Sequence, residues 1–363
     1  MNNENQTIHK SDDNLTIYGW NEKLNQLKQE SIYSALAHGR VSIVHRTCYE
    51  VISGNGLFQC ELTGNMMYGK SDDELPCTGD WVIFQPFDEH KGIIVDSLPR
   101  ERTLYRKKSG TVADKQAIAS YVDKAFIVQS LDDNFNVRRV ERFMVQIMEE
   151  NISSVLVLNK ADLDFDRQSV EEQIKHISSQ IPVFFTSIHQ LETIVRLRKS
   201  ISEGETVVFV GSSGVGKSSL VNALCEKPVL LTSDISLSTG KGRHTSTRRE
   251  MVLMDSSGVL IDTPGVREFG LAIDNPDSLA EVLEISDYAE LCRFKDCKHI
   301  NEPGCAVIEA VNSGALDSKV YKSYLKLRRE AWHFSASEHE KRKKEKSFTK
   351  FVEEVKNRKD ANR

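Results

Sequence analysis

The most constraining feature of this sequence is the octapeptide Gly211–Ser218, which reads GSSGVGKS. It fits the pattern G-x-x-x-x-G-K-[ST], follows the apolar segment Val207–Val210 and precedes the helix-like segment Ser219–Cys225. A loop of this kind between a strand and a helix binds phosphate. Its glycines let backbone N–H groups close around phosphate oxygens, and the helix N-terminus adds partial positive charge. The motif therefore predicts an α/β domain that binds a nucleotide.

Two side chains of this phosphate loop have predicted chemical roles. Lys217 is expected to bridge the β- and γ-phosphates as a catalytic group, and Ser218 to place its hydroxyl on Mg²⁺. The predicted phosphate-binding residues are Gly211, Ser212, Ser213, Gly214, Val215, Gly216, Lys217, Ser218 and Ser219.

A second motif, NKAD at positions 159–162, indicates which base is bound. It ends the apolar strand Ser154–Leu158, and ligands bind at the carboxyl ends of strands in open α/β sheets. The carboxylate of Asp162 can accept hydrogen bonds from N1–H and the 2-amino group of guanine. Adenine offers neither donor, so an Asp that is buried here would be left unpaired, at a cost of about 1–3 kcal/mol or more. The predicted base-binding residues are Asn159, which ties this loop to the phosphate loop, Lys160, which packs over the base, Ala161, Asp162, Thr186 and Ser187.

A third motif, DTPG at positions 262–265, ends the apolar strand Gly258–Ile261. Asp262 is expected to hold Mg²⁺ through water, and the Gly265 N–H to contact the γ-phosphate. The segment before it is rich in Gly, Ser and Thr, and a threonine there is expected to complete the Mg²⁺ shell. Thr245 and Thr247 are both candidates.

The residue after Gly265 is Val266, where Ras-type GTPases carry a Gln that orients the attacking water. Valine cannot orient water, so another group must do so or intrinsic hydrolysis will be slow. His244 is the nearest polar candidate and is predicted to be catalytic.

The order of the three motifs is unusual, because the base-binding motif precedes the phosphate loop instead of following the DTPG motif. A circular permutation explains this order, since domain termini lie close together and tolerate reconnection. The DTPG motif then leads directly towards the C-terminal part of the chain.

A cluster of metal-ligating residues follows, with the spacing Cys-x4-Cys-x-His-x5-Cys. Three thiolates and one imidazole within 14 residues suit tetrahedral Zn²⁺. All four positions are filled by protein, so the predicted zinc site is structural. The ligands are Cys292, Cys297, His299 and Cys305.

Hydrophobic periodicity divides the chain into regions. Five short strands separated by turns predict a small β-barrel of the oligonucleotide-binding (OB) type, and strands that alternate with helices predict a parallel sheet covered on both faces. The predicted barrel strands are Arg40–His45, Cys48–Ser53, Leu57–Thr63, Asp80–Gln85 and Gly92–Leu98. The predicted later strands are Lys124–Ser130, Ser154–Leu158, Val183–Phe185, Thr206–Val210, Met251–Met254 and Gly258–Ile261. The predicted helices are Glu22–Glu30, Val140–Glu150, Leu191–Ile201 and Ser218–Cys225.

Composition limits the classes of protein and of partner. No apolar run approaches the roughly 20 residues that cross a bilayer, and the polar start lacks the apolar core of a signal peptide, so a cytoplasmic protein without membrane contact is expected. The net charge is −5, but Lys319–Arg363 carries 15 Lys and Arg against 7 Asp and Glu, a balance of +8. A basic arm on an acidic body favours contact with nucleic acid, although a solvated charged helix gives the same pattern.

At this point the chain resembles the ribosome small subunit-dependent GTPase A family of bacteria. The resemblance runs from about Gly39 to Lys326. Besides the three nucleotide motifs and the Cys/His set, it rests on Leu75-Pro76, Gly79-Asp80-Trp81-Val82, Leu98-Pro99-Arg100, Val122-Asp123, Gly242–Thr245 and Val266–Gly270.

The resemblance implies a multidomain chain: an OB-type β-barrel, a circularly permuted α/β P-loop GTPase domain and a helical zinc-binding domain. We predict a polar leader at 1–38, the barrel at 39–108, the GTPase domain at 109–275, the zinc domain at 276–335 and a basic tail at 336–363. The implied function is GTP hydrolysis during late maturation of the 30S ribosomal subunit, stimulated by that subunit. The implied cofactors are GTP, Mg²⁺ and Zn²⁺. The implied partners are the 30S subunit and its 16S rRNA. Binding to DNA is not expected, and the protein is expected to be a monomer. The alternative is a regulatory GTPase that acts on protein partners away from the ribosome.

Overall fold

A computed structural model describes residues 14–71, 73–107, 115–230, 250–255, 257–262 and 277–335. The chain divides into two compact units. One comprises residues 1–106 and 116–269, and the other comprises residues 107–115 and 270–363.

The first unit contains the predicted barrel. Its strands pair in the order β1-β2-β3-β5-β4, and β4 pairs again with β1 to close the barrel. All neighbours are antiparallel except β3 and β5. This arrangement confirms the OB-type barrel, whose strands are β1 Ala37–Val44, β2 Tyr49–Ser53, β3 Gly56–Leu62, β4 Trp81–Asp88 and β5 Lys91–Ser97, with the short helix α2 Gly64–Gly69 between β3 and β4.

Residues 14–36, within the predicted polar leader, pack on the outside of this barrel. Helix α1, Glu22–Glu30, has the predicted bounds and begins at Asn21, whose side chain accepts a hydrogen bond from the Leu24 N–H. Leu15, Trp20 and Leu24 are buried against barrel and neighbouring residues that include Trp81. Burial of apolar side chains therefore extends the folded unit towards the N-terminus.

The barrel strands continue into the second part of the same sheet. The order is β10-β9-β8-β11-β13-β12, and β12 meets β1 through the pair Ile43↔Glu250. Strands β8 to β11 and β13 run parallel, and β12 is antiparallel. The strands are β8 Lys124–Ser130, β9 Ser153–Asn159, β10 Val183–Thr186, β11 Thr206–Val210, β12 Glu250–Met254 and β13 Ser257–Asp262.

Helices connect these strands much as predicted, because parallel neighbours require crossover connections. Apolar side chains from strands and helices form one core that includes Phe126, Val157, Phe209, Leu220 and Leu260. Helices α2, α4 and α5 and the paired strands β6 and β7 were not among the predicted elements. The helices are α3 Val137–Glu149, α4 Arg167–Gln173, α5 Lys175–Ser178, α6 Leu191–Arg198 and α7 Lys217–Leu224, and the paired strands are β6 Leu104–Lys107 and β7 Lys115–Ala119.

Residues 277–335 of the second unit are helical around the Cys/His cluster. Its helices are α8 Asp277–Val282, α9 Ser286–Ala289, α10 Ala306–Ser313 and α11 Ser318–Ser335. Among the residues that the structure describes, no helix combines the length and apolarity needed to span a membrane.

Candidate nucleotide-binding and metal sites

The phosphate loop lies between β11 and α7, as predicted. All five residues of β11 are buried between the parallel strands β8 and β13, which fixes the start of the loop at the centre of the sheet. Gly216 immediately precedes α7 with φ of +92°, and a Cβ there would lie 2.4 Å from Nδ2 of Asn159. Glycine is therefore required at this position both for its backbone conformation and for space.

The lysine and serine of the loop are held by nearby oxygens. The ammonium of Lys217 donates to the carbonyl oxygens of Gly211 at 2.8 Å and Ser212 at 3.0 Å. Burial lowers the pKa of Lys217, and the charge of Asp262 opposes that shift. The hydroxyl of Ser218 donates to Oδ2 of Asp262 at 2.9 Å. A charged amine and a hydroxyl–carboxylate pair thus lie at one end of β11 and β13.

The base-binding motif is joined directly to the phosphate loop. Nδ2 of the buried Asn159 donates to the carbonyl oxygen of Val215 at 2.9 Å. Oδ1 of Asn159 accepts from the Thr186 hydroxyl at 3.2 Å, and the Ala161 N–H donates to the Thr186 carbonyl at 3.0 Å. One buried amide therefore connects three loops at the carboxyl ends of β9, β10 and β11.

Asp162 lies at the exposed end of this arrangement, and not buried as expected, because it follows the strand end in a surface loop. A hydrogen bond from the side chain of buried Ser187 lowers the pKa of Asp162, so the group is a carboxylate at neutral pH. Lys160 has φ of +61°, an uncommon conformation outside glycine, and its ammonium lies 2.8 Å from Oδ2 of Asp132. The loop thus presents an exposed acceptor and a lysine side chain in a fixed orientation.

Two further residues contact these motifs and were missed by sequence reasoning. They are Asp132, which binds Lys160, and Arg139, whose Nη1 donates to the Ser212 hydroxyl at 3.0 Å. Both belong to the segment that follows β8, and β8 lies between β9 and β11. Their position after a central parallel strand was the available signal.

Several predicted residues lie outside the described residues. They are His244, Thr245, Thr247, Gly265, Val266 and the tail 336–363.

The Cys/His cluster brings all four predicted ligands together. Their ligand atoms lie within 4.8 Å of one another. Nδ1 of His299 lies 3.4 Å from Sγ of Cys292 and 3.5 Å from Sγ of Cys305, and these two sulfurs are 3.8 Å apart. A tetrahedral Zn²⁺ with ordinary bond lengths needs about 3.8 Å between sulfurs and about 3.6 Å between sulfur and nitrogen. The donor set therefore fits zinc in both chemistry and spacing.

The basic residues at the exit of the barrel are engaged within the chain. Arg100 forms an ion pair of 2.7 Å with the buried Asp80, and Arg102 one of 2.9 Å with Asp123. Arg106 donates to Oε1 of Gln116. These three guanidinium groups therefore connect the segment that follows the barrel to Asp80, to Asp123 and to strand β7.

Comparison with known proteins agrees with this geometry. The family model described as RsgA GTPase matches residues 97–272, and a model described as ABC transporter matches residues 194–359; both ranges contain the phosphate loop. Small ribosomal subunit biogenesis GTPase RsgA 1 of Bacteroides thetaiotaomicron is 75% identical over 359 residues, which cover 99% of each chain. Small ribosomal subunit biogenesis GTPase RsgA of Methanosarcina acetivorans is 38% identical over 90% of this chain and 89% of its own.

Solved structures are similar too. YjeQ from Thermotoga maritima superimposes with a TM-score of 0.62 at 26% identity, over 81% of this chain and 98% of its own. YloQ, described as a circularly permuted GTPase, superimposes with a TM-score of 0.60 at 22% identity, over 85% of this chain and 99% of its own. At this identity, the similarity between YloQ and this chain concerns the fold. The order of the three motifs in this chain is the order expected of a circularly permuted GTPase domain. On the sequence identity to its relatives, this chain belongs to the RsgA family of GTPases.

Proposed function

We propose that this chain binds GTP with Mg²⁺ where its three motifs converge and hydrolyses it during biogenesis of the small ribosomal subunit. The observation that carries the proposal is the hydrogen bond from Asn159 to Val215, which joins the base-binding motif to the phosphate loop. Without that contact, the two motifs would be separate sequence patterns. With it, a single ligand that has a base and phosphates can span both.

Guanine selection follows from the state of Asp162. This exposed carboxylate can accept two hydrogen bonds from guanine, while Lys160 covers the ring and Ser187 supports the base. Gly211–Ser219 would surround the phosphates with N–H groups, and Lys217 would place its charge on the β- and γ-phosphates.

Magnesium ligation is proposed for the Ser218 hydroxyl and, through water, for Asp262, since the two already lie in contact. Mg²⁺ would neutralise charge between the β- and γ-phosphates. From their sequence positions, Thr245 is proposed to complete the shell, with Thr247 as the alternative. Gly265 would contact the γ-phosphate, and His244 would orient the attacking water.

The Cys/His cluster is proposed to bind one structural Zn²⁺. Four protein ligands leave no position for a substrate, so the metal would stabilise this small helical unit and not catalyse a reaction. The hydroxyl of Tyr321 donates to the His299 carbonyl at 2.6 Å, and this contact helps to hold the loop that carries the imidazole.

The proposed partner is the 30S subunit with its 16S rRNA, because the relatives are named for biogenesis of that subunit. The protein is proposed to be a cytoplasmic monomer that does not bind DNA. Basic side chains of the zinc unit, which include Lys295, Lys298 and Arg329, suit an rRNA contact. The relatives give no support to the alternative of a GTPase that acts on protein partners elsewhere.

The test is GTP hydrolysis by the purified protein alone, with 30S subunits and with 50S subunits, and with ATP in place of GTP. We expect slow turnover alone, stimulation by 30S subunits only and no turnover of ATP. Tight GTP binding without stimulation by 30S subunits would leave a GTPase but would contradict the ribosomal role.

A further inference from the structure

The stretch of chain from the end of β8 into the first turn of α3 contacts both nucleotide motifs yet belongs to neither. Oδ2 of Asp132 accepts from the Lys160 ammonium at 2.8 Å. Nη1 of Arg139 donates to the Ser212 hydroxyl at 3.0 Å. In addition, the Leu131 N–H donates to the Asn159 carbonyl at 2.9 Å. One short stretch of chain therefore reaches the base-binding motif twice and the phosphate loop once.

The carboxylate of Asp132 is held in place by its own loop. Oδ1 accepts from the Ser130 hydroxyl at 2.6 Å and from the Asn134 N–H at 3.0 Å, which leaves Oδ2 for Lys160. Burial opposes ionisation, but hydrogen bonds from Lys160 and Ser130 lower the pKa of Asp132 to about 2. A fixed carboxylate is thus ionised throughout the physiological range and directs one lysine.

Nη1 of Arg139 makes two contacts. Besides the Ser212 hydroxyl, it contacts the Asn134 carbonyl at 3.4 Å. Ser212 is therefore bound through its hydroxyl by Arg139 and through its carbonyl by Lys217. When Lys217 turns to phosphate, as the proposed function requires, Arg139 remains to hold this part of the loop.

We propose that Asp132 and Arg139 are positioning residues for the nucleotide: Asp132 orients Lys160 over the base, and Arg139 orients Ser212 in the phosphate loop. The inference rests on the proposed nucleotide site. Both residues act through another side chain, so neither is a catalytic residue. Preorganisation of this kind reduces the free energy lost when a ligand orders its site, so it should slow nucleotide release.

The chain offers matched controls one residue away. Asp133 and Arg138 are exposed neighbours of the same charge, and no side-chain contact to the nucleotide motifs is seen for either in the described residues. The experiment measures release of N-methylanthraniloyl-GDP from the full-length protein by stopped-flow fluorescence. Asp132→Asn and Arg139→Gln should each speed release roughly tenfold, the loss expected for one charge-assisted hydrogen bond. Asp133→Asn and Arg138→Gln should stay within about twofold of the unchanged protein.

Double variants distinguish positioning from a general structural role. Asp132→Asn combined with Lys160→Gln should release nucleotide no faster than Lys160→Gln alone. Likewise, Arg139→Gln combined with Ser212→Ala should release it no faster than the faster of these two single variants. Melting of the nucleotide-free protein should be unchanged. The inference would be overturned if Asp132→Asn and Arg139→Gln released labelled GDP at the same rate as their controls. It would also be overturned if the double variants showed additive increases in release rate together with a lower melting temperature. If the unchanged protein bound no labelled GDP, the proposed function itself would fail.

Discussion

The Ser218 hydroxyl donates a 2.9 Å hydrogen bond to the Asp262 carboxylate, although 44 positions separate the two residues. Ser218 lies at the start of α7 and Asp262 at the end of β13, which runs parallel to β11. Adjacent parallel strands thus bring a hydroxyl and a carboxylate, the two proposed Mg²⁺ ligands, to one point.

Asp262→Asn should lower kcat for GTP hydrolysis on the order of 100-fold, because the neutral amide holds Mg²⁺ and its water poorly. The measurement is hydrolysis across a range of Mg²⁺ concentrations, with GDP affinity in the absence of Mg²⁺ as a binding check. Asp255→Asn, a change at an exposed aspartate, is the control. Equal turnover by the two variants would count against the proposed role of Asp262.

Asp162→Asn should change base preference. An amide in place of the carboxylate offers a donor to the 2-oxo group of xanthine and loses the acceptor for the guanine 2-amino group, so GTP affinity should fall roughly 100-fold while XTP binding improves. Competition against labelled GDP measures both. Asp164→Asn, at an exposed position two residues away, should keep the guanine preference.

Zinc content should depend on each ligand of the cluster. Cys292→Ser is expected to reduce bound zinc from about one ion per chain to nearly none, because three remaining ligands leave the coordination shell open. Metal analysis after gel filtration gives the stoichiometry, and circular dichroism the loss of helix. Cys48→Ser, which changes a thiol outside the cluster, should retain the ion. Normal zinc content in Cys292→Ser would contradict the assignment.

His38 should make the first unit acid-sensitive. Its imidazole is 8% exposed, and its ring centroid lies 4.2 Å from that of Trp20. Burial, assisted by the charge of Lys28, lowers the pKa of His38 to about 4. Between about pH 6.5 and pH 4 the unfolded chain binds the extra proton, so stability should fall with decreasing pH by about 3 kcal/mol in total.

The measurement is urea unfolding at several pH values, followed by the fluorescence of Trp20 and Trp81 in a Trp332→Phe background. His38→Phe should remove most of the pH dependence of the free energy of unfolding, whereas a change at the exposed His189, His189→Phe, should keep it. If the free energy of unfolding of His38→Phe depended on pH as it does in the unchanged protein, the acid sensitivity would belong to other groups.

Arg40 should be the main polar contact between the barrel and the strand that carries the phosphate loop. This buried guanidinium donates to the carbonyl oxygens of Gly79 at 3.0 Å and Tyr18 at 2.5 Å and to the Thr206 hydroxyl at 2.9 Å. Arg40→Met leaves these buried acceptors unpaired and should cost about 3 kcal/mol or more. Thr206→Val removes one of the bonds and should cost about 1 kcal/mol. If urea unfolding showed the same loss of free energy of unfolding for Arg40→Met and Thr206→Val, Arg40 would not be the main residue of this hydrogen-bond network.

Much of the fold was predictable because its signals are local. Strand β8 has the predicted bounds, as do β11 and α1. The pair β6 and β7 was missed because its strands are only four and five residues long. The helices α4 and α5 were missed because they are only seven and four residues long.

The sequence by itself determined which motifs this protein carries: a GSSGVGKS loop between strand and helix, an NKAD motif, and three cysteines and a histidine within 14 residues. Each of these is a spacing along the chain, and local geometry fixes what such spacings can bind. Only the tertiary structure decided how the pieces are held. Lys160 reaches Asp132 across 28 positions, Ser212 reaches Arg139 across 73, and Thr206 reaches Arg40 across 166. These contacts depend on strand order in one sheet, and strand order is set by packing of the whole core.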